Sequence, residues 1–86
     1  MEDNQMGKRT QDGLSLAGIL KAAAGAGIGI RCGGKHPHAL EYPGMRPCPI
    51  AASTHAKRMI VPWMAEATGI SRYEIYQALR KGYWEN

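Results

Sequence analysis

The sequence predicts a small α+β domain with the order α-β-β-β-α, in which a three-stranded antiparallel sheet carries helices packed on one face. Three observations predict this fold. An apolar stripe at helical spacing begins after Ser15, strand-like alternation runs through 28–52, and helical spacing returns after His55. The 86 residues suffice for one domain, in which any site should be shallow.

The first helix is predicted over Leu16–Ala24, with Ser15 as its N-cap and Gly25 and Gly27 as stop signals. Residues 1–13 are polar and have almost nothing to bury, so we expect a disordered leader there. The domain should span residues 14–82, and residues 83–86 should form a C-terminal tail.

Three strands are predicted from alternation and turn signals. Ile28–Cys32 alternates apolar residues with Gly29 and Arg31, and Gly33-Gly34 then turns the chain. His36–Tyr42 alternates again, and Pro43-Gly44 is a turn dipeptide. The third strand is predicted over Arg46–Ala52.

Two helical segments should follow. Pro62 suits the first turn of a helix, because its missing N–H needs no partner there, and Gly69 suits the end of that helix. The sequence Ser71-Arg72-Tyr73-Glu74 is a capping box, which predicts a last helix from Arg72 to about Lys81-Gly82.

Charge and composition limit the classes of function. Eleven Lys and Arg against seven Asp and Glu give a net charge of +4, which suits a polyanionic partner such as RNA or DNA. Two cysteines do not form a secreted disulfide framework, and the polar start of the chain is not a signal peptide. The longest apolar run, Ala22–Ile30, is too short to span a bilayer. We therefore expect a cytoplasmic protein without a membrane partner.

Site chemistry is concentrated in Gly33-Gly34-Lys35-His36. Cleavage of RNA without a metal needs a group that removes the 2′-hydroxyl proton or protonates the leaving oxygen, and histidine does either near neutral pH. Glycine lets the backbone approach a phosphate, and Lys35 is able to hold that phosphate by its charge. The alternative is a histidine in a turn with no chemical role.

Further candidates flank this segment. His38 should share a face with His36, where it would bind phosphate or assist as a second acid; the alternative is a solvent-exposed strand histidine. His55 precedes Lys57-Arg58, and together with Ser53 and Thr54 these residues suit contacts with an RNA backbone. The alternative is that the Ser53-Thr54 segment caps a helix and that the basic pair is a solvated patch. We expect the basic side chains of the predicted site to converge on one face; they are Arg31, Lys35, Arg46, Lys57 and Arg58.

The cysteines and histidines do not have the spacing of a closed structural zinc site, which usually shows two cysteines with two to four residues between them or two histidines with three to five between them. The residues concerned are Cys32, His36, His38, Cys48 and His55. We expect no metal and no cofactor, and the two cysteines are more simply small buried residues.

The order of these elements, with Gly34-Lys35-His36 at the start of the second strand, resembles the HicA family of toxin components. Gly34-Lys35-His36 fits the Gly-x-His element of that family, and Arg46–Ala52 fits its Arg-led third strand, which ends in a further histidine as at His55. The segment 63–71 is similar to the family's helix and stop. The resemblance covers about residues 14–79, and Pro37 departs from the family pattern.

The resemblance implies a double-stranded-RNA-binding-domain-like fold of bacterial or phage origin. It implies a metal-independent mRNA endoribonuclease toxin with catalytic His36, which blocks translation and is neutralised by a cognate antitoxin protein covering the His36 face. Gly34, Lys35 and the neighbouring basic residues would hold RNA phosphates.

The alternative is a non-catalytic protein of the same fold that binds structured RNA or inhibits a complex, as phage-type inhibitors do. A third reading is a structural or regulatory subunit that docks a partner through its last helix and tail. Tyr83 and Trp84 in the tail are candidates for a contact with a protein partner.

Overall fold

The computed structural model describes residues 8–32 and 38–85. Three helices and three strands are arranged in the predicted order. They are helix α1 (Leu16–Gly25), strands β1 (Gly29–Cys32), β2 (His38–Glu41) and β3 (Cys48–Ile50), a π-helical turn (Ala56–Ile60), and helices α2 (Val61–Thr68) and α3 (Arg72–Lys81). The α+β class and the three antiparallel strands are confirmed, with strands shorter than the sequence predicted.

The sheet has the order β1-β2-β3 with both pairs antiparallel, so β2 is the central strand. Leu40 pairs with Ile30 on one side and with Cys48 on the other, and directly paired residues point to the same face. Leu40, Cys48 and Ile50 are buried, whereas Pro49 is exposed. The face that carries Leu40 is therefore the core face, and Pro49 lies on an edge strand, where a missing N–H is tolerated.

One hydrophobic cluster joins the core face of the sheet to all three helices. Its largest fully buried side chains come from every layer; they are Ile19, Leu40, Ile50, Ile60, Met64, Ile75 and Leu79. The chain has no Phe, and branched aliphatic side chains and methionine fill the core instead, as the composition required.

Close approach of α1 to the end of the chain depends on two glycines. A Cβ atom at Gly18 would lie 2.9 Å from the Cα of Gly82, and one at Gly25 would lie 2.6 Å from the Cβ of Trp84. Trp84 is half-buried and packs against the core cluster. The indole of the predicted tail is thus seated beside the last residue of α1.

Most of the predicted helix ends are confirmed by hydrogen bonds and backbone angles. At the end of α1, Gly27 is left-handed as predicted, whereas Gly25 is the last residue of the helix itself. The backbone N–H of Gly18 donates to Ser15 Oγ at 3.2 Å, and that of Glu74 donates to Ser71 Oγ at 3.2 Å. Gly69 and Gly82 end α2 and α3 in the left-handed region, with φ of 78° and 87°, a conformation that costs glycine little.

The π-helical turn before α2 was not predicted, and Pro62 accounts for it. In a regular α-helix the proline ring would clash with the carbonyl four residues earlier, at Arg58, and would leave that carbonyl without its usual donor. The wider turn instead lets the backbone N–H of Val61 donate to the carbonyl of Ala56. Insertions of this kind are a recognised cause of helix irregularity.

No helix among residues 8–32 and 38–85 combines the length and the apolar character that a bilayer crossing requires.

Candidate nucleic-acid interface

The antiparallel pairing gathers two segments of interest at one end of the sheet. Cys32, the last residue of β1, pairs with His38, the first residue of β2, and His38 pairs with Ile50, the last residue of β3. We call this the histidine end of the sheet. The chain leaves it through residues 33–37 and through 51–58. Gly34, Lys35 and His36 lie outside the described residues.

His38 lies on the core face of the sheet, because it is two residues from Leu40 and directly opposite Ile50. Its side chain is half-buried rather than fully exposed. His38 therefore stands at the margin between the core and the surface of the histidine end.

A turn before α1 is packed against the segment that follows β3. Thr10 is buried, its backbone N–H donates to the carbonyl of Leu14 at 2.8 Å, and the N–H of Gln11 donates to the carbonyl of Thr54 at 2.8 Å. This turn falls within the leader that we expected to be disordered. The structure differs over Lys8–Gly13 because the turn finds hydrogen-bond partners more than forty residues along the chain.

Asp12 provides most of that connection. Its Oδ1 accepts hydrogen bonds from the N–H of Ala56 at 2.8 Å and from the hydroxyl of Thr10 at 2.7 Å, and its Oδ2 accepts from the N–H of Lys57 at 3.0 Å. Two of the otherwise unpaired N–H groups at the start of the π-helical turn are satisfied in this way. Asp12 thus caps a helical segment from a distant position in the sequence.

These hydrogen bonds determine the charge of Asp12. Burial on its own would raise the pKa of the carboxyl group, but donation from the backbone of Lys57 and Ala56 and from Thr10 outweighs it and lowers the pKa from 3.8 to about 2. Asp12 is a carboxylate at neutral pH.

His55 lies between this carboxylate and the basic residues that follow. The backbone N–H of Arg58 donates to His55 Nδ1 at 3.3 Å, and the same nitrogen is 3.5 Å from Asp12 Oδ2. His55 therefore acts as the N-cap of the π-helical turn, a role that the sequence had offered to the preceding Ser53-Thr54. Its side chain is 29% exposed, so a part of the ring faces solvent.

A cluster of two cations around one aromatic ring lies beside this turn. The Lys57 Nζ is 5.4 Å from the centroid of the Tyr76 ring, and the Arg80 Cζ is 5.9 Å from it. Both distances are within the range of a cation–π interaction. We call Lys57, Tyr76 and Arg80 the basic cluster; it joins the π-helical turn to α3.

Two other predicted basic residues lie elsewhere. Arg31 points to the face opposite the core, since it alternates with Ile30, and it forms an ion pair with Glu41. Arg46 precedes β3 at the other end of the sheet, where its carbonyl accepts a hydrogen bond from Trp63 Nε1 at 2.7 Å. The described fold brings His55, Lys57 and Arg58 together and leaves Arg31 and Arg46 apart from them.

Sequence reasoning missed Asp12 and assigned Arg80 only to a helix dipole. The turn signal Asp12-Gly13 was present, but nothing local indicates that its carboxylate caps a segment at 56–57. For Arg80, the available signal was its position four residues after Tyr76 on one helix face.

The end of the chain forms a second surface feature. Tyr73 and Tyr83 are exposed, and together with Trp84 they line a groove between α3 and the residues after it. Glu74 and Glu85 contribute carboxylates to the same groove, and Lys81 pairs with Glu85 at 3.0 Å.

Among the residues that the structure describes, no three His, Cys, Asp or Glu side chains are grouped closely enough to hold a metal ion. Cys48 is a buried free thiol, and burial raises its pKa. Comparison of the chain with protein-family models, with curated proteins and with solved structures returns no match.

Proposed function

We propose that this protein is a HicA-like toxin, a metal-independent mRNA endoribonuclease with a double-stranded-RNA-binding-domain-like arrangement of its elements. One observation carries the proposal. Cys32 pairs with His38, and His38 pairs with Ile50. The segment that carries Gly34-Lys35-His36 and the segment that leads to His55 are therefore attached to the same end of the sheet. These are the two histidine-bearing segments by which the chain resembles that family.

In the proposed reaction His36 acts as the acid or base. It takes the proton from a ribose 2′-hydroxyl, whose oxygen attacks the adjacent phosphorus, or it supplies the proton that the departing 5′-oxygen needs. Lys35 and the backbone at Gly34 hold the phosphate, and His38, His55, Lys57 and Arg58 contribute further contacts to the RNA. The protein would act in the cytoplasm, and an antitoxin protein would cover the His36 face.

Growth and RNA integrity test this proposal. Wild type and His36→Ala are expressed in a bacterial host, and growth and total mRNA are followed after induction. Wild type should arrest growth and degrade mRNA, whereas a folded His36→Ala protein should do neither. Equal mRNA loss in both would refute the catalytic role of His36.

A second candidate is an RNA-binding protein of the same fold without catalysis. The basic cluster favours it, because the two cations of that cluster suit phosphate contacts. Such a protein would leave mRNA intact and tolerate His36→Ala. It would lose RNA affinity when Lys57 and Arg58 are replaced together.

A further inference from the structure

We propose that Lys57 and Arg80, held in place by the ring of Tyr76, bind the phosphate backbone of RNA, which makes α3 a part of the RNA-binding surface. The inference rests on the proposed function in taking RNA as the partner. It adds a contact on α3, outside the segments that bear the histidines.

The ring of Tyr76 fixes the position of both cations. Lysine and arginine side chains normally lose much conformational entropy when they bind a ligand. Lys57 lies 5.4 Å and Arg80 5.9 Å from the ring centroid, so both side chains are already restricted in the free protein. Less conformational entropy is then lost when RNA binds. Tyr76 is itself half-buried and packs against the core, so the ring is a fixed support.

Both cations remain available to an anion. Lys57 and Arg80 are exposed, and within the described ranges neither forms an ion pair with a carboxylate. The adjacent Lys81 differs, because its Nζ is 3.0 Å from Glu85. The nearby Asp12 carboxylate is occupied by the N–H groups of Ala56 and Lys57.

The same face of α3 extends the positive surface. Arg72, Tyr76 and Arg80 follow one another at four-residue spacing, which aligns them on one side of a helix. Arg72 and Arg80 are about 12 Å apart along the helix axis. A stripe of this length can follow several successive phosphates of one strand.

Salt-dependent RNA binding tests the proposal in the His36→Ala chain, so that cleavage does not interfere. The probe is a fluorescently labelled RNA hairpin of about 16 base pairs, and the readout is the slope of log affinity against log salt concentration. Lys57→Gln/Arg80→Gln should weaken binding and reduce the slope by about 2, or about 1 per lost phosphate contact.

The matched control, Lys8→Gln/Lys21→Gln, removes the same charge from two exposed lysines elsewhere and should leave the slope unchanged. Tyr76→Leu keeps both cations and most of the buried apolar volume but removes the ring, and it should weaken binding, whereas Tyr76→Phe should not. Circular dichroism confirms that each variant is folded.

Each outcome has a defined meaning. If the cluster and control variants bind RNA alike, the proposed role of the basic cluster is refuted, while cleavage by wild type would still support the endoribonuclease. If Tyr76→Leu binds as the parent does, positioning by the ring is refuted. If the parent chain binds no RNA even at low salt, this inference is refuted, and the endoribonuclease is then decided by the growth and mRNA test of wild type alone.

Discussion

Replacing Asp12 by asparagine should lower the free energy of unfolding by about 2 kcal/mol at neutral pH. The folded-state pKa of Asp12 is about 2, against an ordinary value of 3.8, and each unit of difference corresponds to about 1.4 kcal/mol. Only 14% of the Asp12 side chain is exposed, but the group lies close to the surface of the domain, so solvent screens part of the interaction and the expected loss is smaller than the product of these two figures. The figure agrees with the cost of removing a strong helix cap, which is about 0.5–2 kcal/mol.

The stabilisation should depend on pH with a definite sign. Because the folded-state pKa is lowered, the contribution of Asp12 is complete above its unfolded pKa of 3.8 and is lost as the pH falls towards about 2. The stability difference between wild type and Asp12→Asn should therefore be largest near neutral pH and should shrink across that acidic window.

Urea denaturation followed by circular dichroism measures the effect at neutral pH and again between pH 2 and 3.8. Glu66→Gln is the matched control, because Glu66 is exposed on α2; it should change stability little at either pH. An equal loss in the control, or an Asp12→Asn difference that does not shrink in acid, would refute the reasoning.

Three further substitutions test the packing and the caps. Gly25→Ala puts a Cβ 2.6 Å from that of Trp84, so the indole should move away from α1. In a Trp63→Phe background, which leaves Trp84 as the fluorophore, the tryptophan emission should therefore shift to the red. Unchanged emission would contradict this packing. Leu40→Ala, at the fully buried centre of the sheet, should cost about 2–5 kcal/mol in urea denaturation, and Leu40→Met less than about 1.5. Ser71→Ala should cost about 1 kcal/mol through loss of the α3 cap, with Ser71→Asp restoring most of it; a neutral Ser71→Ala would count against the cap.

Features fixed by neighbouring residues could be predicted from the sequence. Ser15 and Ser71 cap α1 and α3 as expected, and Gly69 and Gly82 end their helices in the left-handed region. Each needs only the chemistry of a side chain within a few residues of its partner. The antiparallel pairing also followed, because short connections favour antiparallel neighbours.

Features that depend on distant contacts could not be predicted. A polar segment such as 8–13 looks disordered until Asp12 meets the N–H groups of Ala56 and Lys57. Pro62 lies in the first turn of α2, as the sequence predicted, but no local signal indicated that a π-helical turn directly precedes that helix. The predicted strands were too long, because the alternation of apolar and polar residues continues beyond the residues that pair with a neighbouring strand.

Only a part of the candidate site could be predicted, because several of its contacts join residues that are distant in the sequence. Alternation correctly suggested that Arg31 faces away from the core, but its pairing with Glu41 depends on the register of β1 against β2. Lys57 was recognised as basic, yet its association with Tyr76 and Arg80 required the packing of α3 beside the π-helical turn. The catalytic role of His36 remains a prediction made from the sequence.

The connection made by Asp12 has a consequence for the lifetime of the folded state. Its hydrogen bonds to Ala56 and Lys57 join residues 44 and 45 positions apart, so they enclose the whole sheet and α1. Contacts that close so long a loop are expected to form late in folding, and interactions absent from the transition state mainly slow unfolding. Asp12→Asn should therefore accelerate unfolding in stopped-flow experiments and leave the folding rate nearly unchanged. The turn at residues 10–13 would then mainly determine how long the folded domain persists, and would have little influence on how fast the domain folds.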